Sequence, residues 1–318
     1  MSRRLRTSSA YLRWIPRAFS SGQPVDPASV RDGWVMGLAV GYPAEALAPF
    51  ICSLRAVFNG RVTLVVSPDP DVLALLDRFD VDARVMPDGQ EWRPHFVVER
   101  FAIFAQLLKQ APPATQVLLT DVRDVVFQGP LFDPPVKDIE AFPEGENITM
   151  SEHALNLRYG EALVGRPVSS IMDDQAPLCA GTIAGRAGKV AALCRTMLFL
   201  SAIPRSGRGS SFGADQAAYN LAVHLGLVEA EIQPNYGRVA TLGWRDNVGA
   251  RATEEGVILN PDGSTSPIVH QYDRRADLSE AVARRWSTAP VIRSGPMTWR
   301  QRRAKAAASL QKWIPEFR

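Results

Sequence analysis

The stretch LLTDVRDVVFQ, residues 118–128, sets Asp121, Arg123 and Asp124 directly behind one apolar run and before another. Two carboxylates held close together repel, and each raises the other's pKa. A divalent cation relieves that repulsion, and hard oxygen donors suit Mg2+ or Mn2+. A diphosphate can then complete the cation's shell. Arg123 has three readings: it contacts a phosphate, it anchors one acid through a paired hydrogen bond, or it neutralises both acids in an ordinary turn.

Four other places carry residue types with chemical uses. In GADQAAYN, residues 213–220, Asp215 and Gln216 lie at the start of a short helix. Asp215 could serve there as an N-cap alone, while Gln216 and Asn220 share a helical face one turn apart. In SPIVHQYDR, residues 266–274, His270 ends a strand-like run, with Gln271, Tyr272, Asp273 and Arg274 crowded behind it. A neutral imidazole is a good ligand for an ion such as Mn2+, although a lone histidine is also a common structural residue. In LCAGTIAGR, residues 178–186, the small Ala180 and Gly181 admit a ligand close to the backbone, or simply a tightly packed strand. Arg100, in ERFAIF, stands beside an apolar helical stripe, where a surface ion pair is its plainest role.

These residues need a scaffold, and the first half of the chain supplies an alternating one. Strand patterns at 34–41, 61–67, 82–87 and 116–120 are separated by helical patterns at 43–58, 69–79 and 97–108. Strand–helix alternation predicts an α/β, Rossmann-like fold with a mostly parallel central sheet and helices on both faces. Ligands of such sheets bind at the carboxyl ends of the strands. Gly41-Tyr42 and the Asp121–Asp124 stretch both fall there. The second half is less regular. It reads as a strand at 146–152, a strand at 178–185, a helix with Val190, Leu193, Cys194, Met197 and Leu198 on one face, a Gly/Ser-rich connection at 204–213, and short strands up to His270.

The chain has 318 residues and a net charge of +3, but the charge is uneven. Residues 1–21 hold five arginines and no acid, and residues 293–318 hold seven basic residues and one acid. Taking out those twelve basic residues and one acid leaves the middle with 24 basic and 32 acidic residues. An acidic body disfavours nucleic acid as a partner. The turn GYPAEA after the first strand is unlike the Gly-x-Gly-x-x-Gly turn of nicotinamide dehydrogenases. Three cysteines outside any CxxC pair predict neither a disulfide framework nor a zinc site. No apolar run approaches the ~20 residues of a membrane span, and no secretory signal is visible, which places the body in the cytoplasm. LRWIPRAF (12–19) and LQKWIPEF (310–317) each set Trp-Ile-Pro beside basic residues. Both segments suit an anionic membrane surface, or docking on the body. The expected layout is a basic tail over 1–30, a body over 31–278 and a basic, partly helical tail over 279–318.

Taken in order, the motifs resemble the GT-A glycosyltransferases, and in organisation the retaining enzymes of family 8. The wording TDVRDVVFQ and VHQYDR is also similar to bacterial glycosyltransferase-like proteins. The resemblance spans about residues 34–275. It departs at three points. The acidic motif is Asp-Val-Arg-Asp rather than Asp-x-Asp, Cys179-Ala180-Gly181 stands where Asn-Ser-Gly is usual, and no Gly-x-Lys-Pro-Trp tail follows His270. The resemblance implies transfer of a sugar from a nucleoside diphosphate sugar, a UDP-sugar in the first place, to a glycan or lipid-linked acceptor in surface polysaccharide or lipopolysaccharide synthesis. It implies Asp121, Asp124 and His270 as ligands of Mn2+ or Mg2+, unless Arg123 supplies that positive charge and no metal is needed. Tyr42 would meet the nucleotide base, and Arg100 the sugar or Asp121. Ala180 and Gly181 would line the sugar pocket. Asp215 and Gln216 would hold sugar hydroxyls, with Asp215 nearest the anomeric carbon. Glu152, at the end of the 146–152 strand, would contact the acceptor. The alternative is a catalytically silent protein of the same fold that binds a glycan or scaffolds a membrane assembly.

Overall fold

A computed structural model of the chain describes residues 3–19, 24–86, 92–202, 212–243 and 249–286. The C-terminal basic segment from 287 onward and most of the 204–213 connection lie outside the described residues. The chain opens with helix α1 (Arg3–Ala18), followed by β1 (Trp34–Ala39), α2 (Ala44–Val57), β2 (Arg61–Val66), α3 (Pro70–Arg78), β3 (Asp82–Val85), α4 (Phe96–Lys109) and β4 (Gln116–Asp121). Every residue of β1 is buried, as a strand covered by helices on both faces requires. Asp69 starts α3 by accepting hydrogen bonds from the amides of Asp71 and Val72. The later elements are β5 (Val125–Phe127), β6 (Ile139–Pro143), α5 (Ala154–Val164), the single turn α6 (Arg166–Ser169), β7 (Leu178–Arg186), α7 (Ala187–Ser201), α8 (Ala214–His224) and β8 (Ala230–Ile232). β9 (Val239–Thr241), β10 (Arg251–Ala252), β11 (Ile258–Leu259), β12 (Ile268–His270) and α9 (Ala276–Trp286) complete them.

The main sheet has seven strands in the order β3-β2-β1-β4-β7-β6-β8. β3, β2, β1 and β4 run parallel, whereas β7 is antiparallel to both neighbours. The α/β fold with a mostly parallel, mixed sheet therefore holds, and the alternating first half is where the strands are parallel. A separate three-stranded sheet, β5-β12-β9, lies beyond the end of β4. Among the described residues, no helix is long and apolar enough to cross a membrane.

One expectation changes. Residues 146–152 form no strand; β6 lies earlier, at Ile139–Pro143. Asn147 has φ 53°, a left-handed conformation outside the strand region. The basic N-terminal segment takes the docked one of its two readings. Tyr11 and Ile15 of α1 are buried in the core, and the Tyr11 hydroxyl donates to the Leu198 carbonyl of α7 at 2.9 Å.

Candidate metal centre and its surroundings

The Asp-Val-Arg-Asp turn joins the two sheets. Asp121 is the last residue of β4, Asp124 immediately precedes β5, and β5 pairs antiparallel with β12. In that register His270 faces Val125, beside Asp124. The Gln271 amide donates to the Asp124 carbonyl at 2.8 Å and closes the corner. One ligand atom from each of Asp121, Asp124 and His270 lies within 4.8 Å of the others. Donors on opposite sides of Mg2+, bound at about 2.0–2.1 Å each, lie about 4 Å apart. His270 Nε2 stands 3.7 Å from one oxygen of each carboxylate, within that span.

Two observations support a ligand there. His270 is fully buried, yet its Nε2 has no hydrogen-bond partner. It lies 3.7 Å from Asp121 Oδ2 and 3.7 Å from Asp124 Oδ1, beyond hydrogen-bond reach of either. Gly181 supplies the second. A Cβ at this position would lie 2.5 Å from Asp121 Oδ2 and 2.6 Å from His270 Cε1. The glycine keeps the floor of the cluster open.

The electrostatics fit the same use. The Asp121 side chain is 39% exposed, at the carboxyl end of β4. Burial there pushes its carboxyl up, but Arg100 and His270 outweigh it and hold the pKa well below the usual carboxylate range. Burial raises Asp124, and Asp121 and Asp273 add to that rise against the opposing pull of His270. Burial lowers His270, but the facing Asp121 and Asp124 carboxylates carry it above the ordinary imidazole value. The cluster therefore holds the imidazole proton more tightly than water does, and a cation bound there would compete with that proton.

Arg100 is not on the surface. It is 6% exposed, and its Nη1 donates to Asp121 Oδ1 at 2.6 Å while Nη2 donates to Asp215 Oδ2 at 3.1 Å. The arginine thus ties the end of β4 to the first turn of α8. Asp215 does not cap that helix, because Gly213 occupies the N-cap with φ 85°. Burial raises the Asp215 pKa, which Arg100 only partly offsets.

Gln216 and Asn220 do share a face, and both are bound to β7. Gln216 accepts from the Ala180 amide at 2.8 Å and donates to the Leu178 carbonyl, and Asn220 bonds both the amide and the carbonyl of Leu178. These side chains strap α8 to the strand that carries Ala180 and Gly181.

Arg123 does not sit between the two acids. Its Nη2 lies 2.9 Å from Asp273 and 3.7 Å from Asp124, and its guanidinium is 6.0 Å from the centre of the Tyr42 ring. Arg274 lies 3.8 Å from Asp124. Two half-exposed arginines and Tyr42 thus flank the cluster on the β1 side. Glu152 lies elsewhere. It is fully exposed, and its carboxylate accepts from the amide and hydroxyl of Thr149 in its own turn. Cys52 is half-buried, Cys179 and Cys194 are buried, and all three are free thiols.

Several residues at this edge were not singled out from the sequence. Glu144 follows β6 as Asp121 ends β4, and it bonds His153 and Asn156. The signal was an acid directly after an apolar strand, obscured by placing the strand seven residues late. Cys179 touches His270 Nδ1 at 3.7 Å. A groove of about 770 Å3, lined among others by Arg61, Asp82 and Gln106, opens at the amino end of β2 and β3. It shares no residue with the cluster. In comparisons with known proteins, no protein-family model matches the chain and no curated sequence is significantly similar to it.

Proposed function

We propose that the protein is a glycosyltransferase of the GT-A type that uses a nucleoside diphosphate sugar, a UDP-sugar in the first place, together with Mn2+ or Mg2+. The observation that carries this reading is the Asp121–Asp124–His270 cluster at the carboxyl end of the central strands, with Gly181 leaving it open and Arg100–Asp215 beside it. A cation held by Asp121, Asp124 and His270 would stabilise negative charge on a departing diphosphate. Arg123 and Arg274, beside the cluster, would bond phosphate oxygens, and Tyr42 would meet the base. Asp215, turned into the site by Arg100, would face the transferred sugar. Gln216 is assigned a different role from the one its resemblance implies, because both ends of its amide are engaged by β7. It shapes the sugar pocket through the Ala180 backbone.

That same engagement favours one alternative, a glycan-binding protein of this fold without transferase activity, since the pocket has fewer free amides to grip a donor sugar. The separating experiment is donor hydrolysis with UDP-, GDP- and CMP-sugars and Mn2+, on wild type and Asp124→Ala. Metal-dependent turnover that Asp124→Ala abolishes supports the transferase. Turnover and metal dependence unchanged in Asp124→Ala would remove the metal assignment. No turnover with any donor, alongside retained sugar binding, supports the alternative.

Attachment to an anionic membrane through the basic ends is a separate part of the proposal, with a lipid-linked acceptor at the inner face of the cell membrane as its purpose. Flotation with anionic vesicles, with and without residues 293–318, tests it; equal binding by the truncated chain counts against it.

A further inference from the structure

Helix α1 docks on the body with only part of its surface. Tyr11 and Ile15, one turn apart, are buried in the core. The neighbouring stripe is apolar as well, yet it is turned outward. Leu12, Pro16 and Phe19 follow one another at four- and three-residue spacing, which puts them on one side of the helix. Leu12 is 50% exposed, and Pro16 is exposed one turn on. The Phe19 amide continues the helical bonding to the Ile15 carbonyl at 3.2 Å, and its ring stacks on Phe199 of α7 with centroids 6.2 Å apart. Phe199 is itself 59% exposed. Tyr11 pins the two helices together here, because its hydroxyl bonds the Leu198 carbonyl, next to Phe199. Leu12, Pro16, Phe19 and Phe199 therefore make one outward apolar surface across α1 and α7.

Arginines border that surface. Arg13 is exposed and bonds Ser9 of its own helix at 2.9 Å. Arg195 stands one turn before Phe199, on the same side of α7. Among the described residues neither forms an ion pair, whereas Lys189 at the other end of α7 is paired with Glu229. Neither α1 nor α7 contains an acid. In the sequence, Arg6, Arg13 and Arg17 recur at seven- and four-residue spacing, which sets a basic stripe beside the apolar one.

Exposed apolar side chains bordered by unpaired arginines match an anionic lipid surface. The apolar groups enter the headgroup boundary, and the guanidiniums meet lipid phosphates. Other occupants fit less well. A second copy docked through a two-fold axis would set the arginines of this face against themselves. The segment 293–318 is also basic, with seven basic residues and one acid. We propose that Leu12, Pro16, Phe19 and Phe199, with Arg13 and Arg195, form a docking face of the body for an anionic lipid surface. This goes beyond attachment through the basic ends, since α7 is part of the face and residues 293–318 are not. It does not rest on the transferase reading. Its position suits that reading all the same. Arg186, the last residue of β7, pairs with Gln116, so α7 starts at the amino end of β4 and returns toward the end that carries Asp121. Phe199, in the last turn of α7, thus lies toward the edge of the sheet that holds the cation cluster.

The test is flotation of the full-length protein with phosphatidylcholine vesicles, with and without about 30% phosphatidylglycerol. Wild type binds the anionic vesicles and not the neutral ones. The double change Leu12→Ser/Phe199→Ser, at two exposed positions, weakens binding about tenfold, and Arg195→Gln weakens it about fivefold. Leu227→Ser, 50% exposed beyond the far end of α8, binds as wild type does. Melting temperatures of all variants check that the fold is kept. No binding of wild type to anionic vesicles overturns the proposal, as does equal binding to neutral ones. Binding unchanged in both Leu12→Ser/Phe199→Ser and Arg195→Gln overturns it too. If those variants bind unchanged while removal of 293–318 abolishes binding, the body face falls and attachment through the C-terminal end stands. Hydrolysis of a soluble donor with Mn2+, read on the same samples, reports on the transferase reading independently.

Discussion

Gly181 lies directly beneath His270: a methyl group on Gly181 would come within 2.6 Å of His270 Cε1. The strand of the main sheet and the histidine of the small sheet meet only because one side chain is missing. Gly181→Ala should therefore lower stability by about 1–3 kcal/mol, as overpacking does, and disturb the cluster. The half-exposed Asp121 carboxylate can move aside, whereas the buried histidine cannot. Mn2+ affinity, followed by electron paramagnetic resonance, should fall about 10–100-fold, in the range seen when the surroundings of a ligand are altered. Unchanged affinity would mean that the cluster does not use this space.

Arg100 should matter more for stability than its place in an exposed-looking motif implies. Arg100→Met leaves Asp215, only 10% exposed, without its partner. Removing one member of a buried pair costs about 3–5 kcal/mol. Asp121 is open to solvent and adds little to that cost. Urea unfolding should show the loss, and the double change Arg100→Met/Asp215→Leu should recover much of it. A loss under about 1 kcal/mol for the single change would count against a buried pair.

Gln216→Ala should act through structure. It removes the bonds to the Ala180 amide and the Leu178 carbonyl, so stability falls by about 1–3 kcal/mol. Any loss of donor hydrolysis should appear with that destabilisation. A large activity loss at full stability would instead place Gln216 on the substrate.

The pH dependence has a definite sign. His270 is raised in the cation-free protein, so its attraction to Asp121 and Asp124 contributes fully below the unfolded imidazole value of about 6.5 and fades as pH rises through the folded value. Asp124 is also raised, so its burial costs stability as pH rises from the unfolded carboxylate value of about 3.9 through its folded value. The chelator-treated protein should therefore lose stability on the alkaline side. Mn2+ should restore it, with affinity falling up to about tenfold per pH unit as pH drops through the His270 value. The melting temperature with chelator and with Mn2+, from about pH 6 to about pH 8.5, checks both halves. A Mn2+ effect that does not change with pH would exclude His270 as a ligand.

Removal of residues 1–18 should lower stability, because Tyr11 and Ile15 leave the core and the Leu198 carbonyl loses its donor. If the segment were only a membrane tail, the melting temperature would be unchanged.

Part of this was legible along the chain. Apolar strand runs and helical stripes placed β1, β2, β4, α2, α3 and α4 to within about two residues, because local periodicity reports burial of successive side chains. The same logic named Asp121 and Asp124 from their place at a strand end. It failed at β6. Glu152 was chosen as the acid after a strand over 146–152, but the left-handed Asn147 interrupts that run and the strand ends before Glu144. The rule was sound and the strand was misplaced.

The amino-acid sequence by itself determined the α/β class, the parallel first half and the carboxylate pair, since each depends on residues close together in the chain. Only the tertiary structure decided what those acids face. Pairing of β5 with β12 brings His270 beside Asp124, packing of α4 and α8 gives Arg100 two carboxylates, and β7 engages both ends of the Gln216 amide. Each of these is set by register and packing between segments far apart in sequence, where local pattern carries no information.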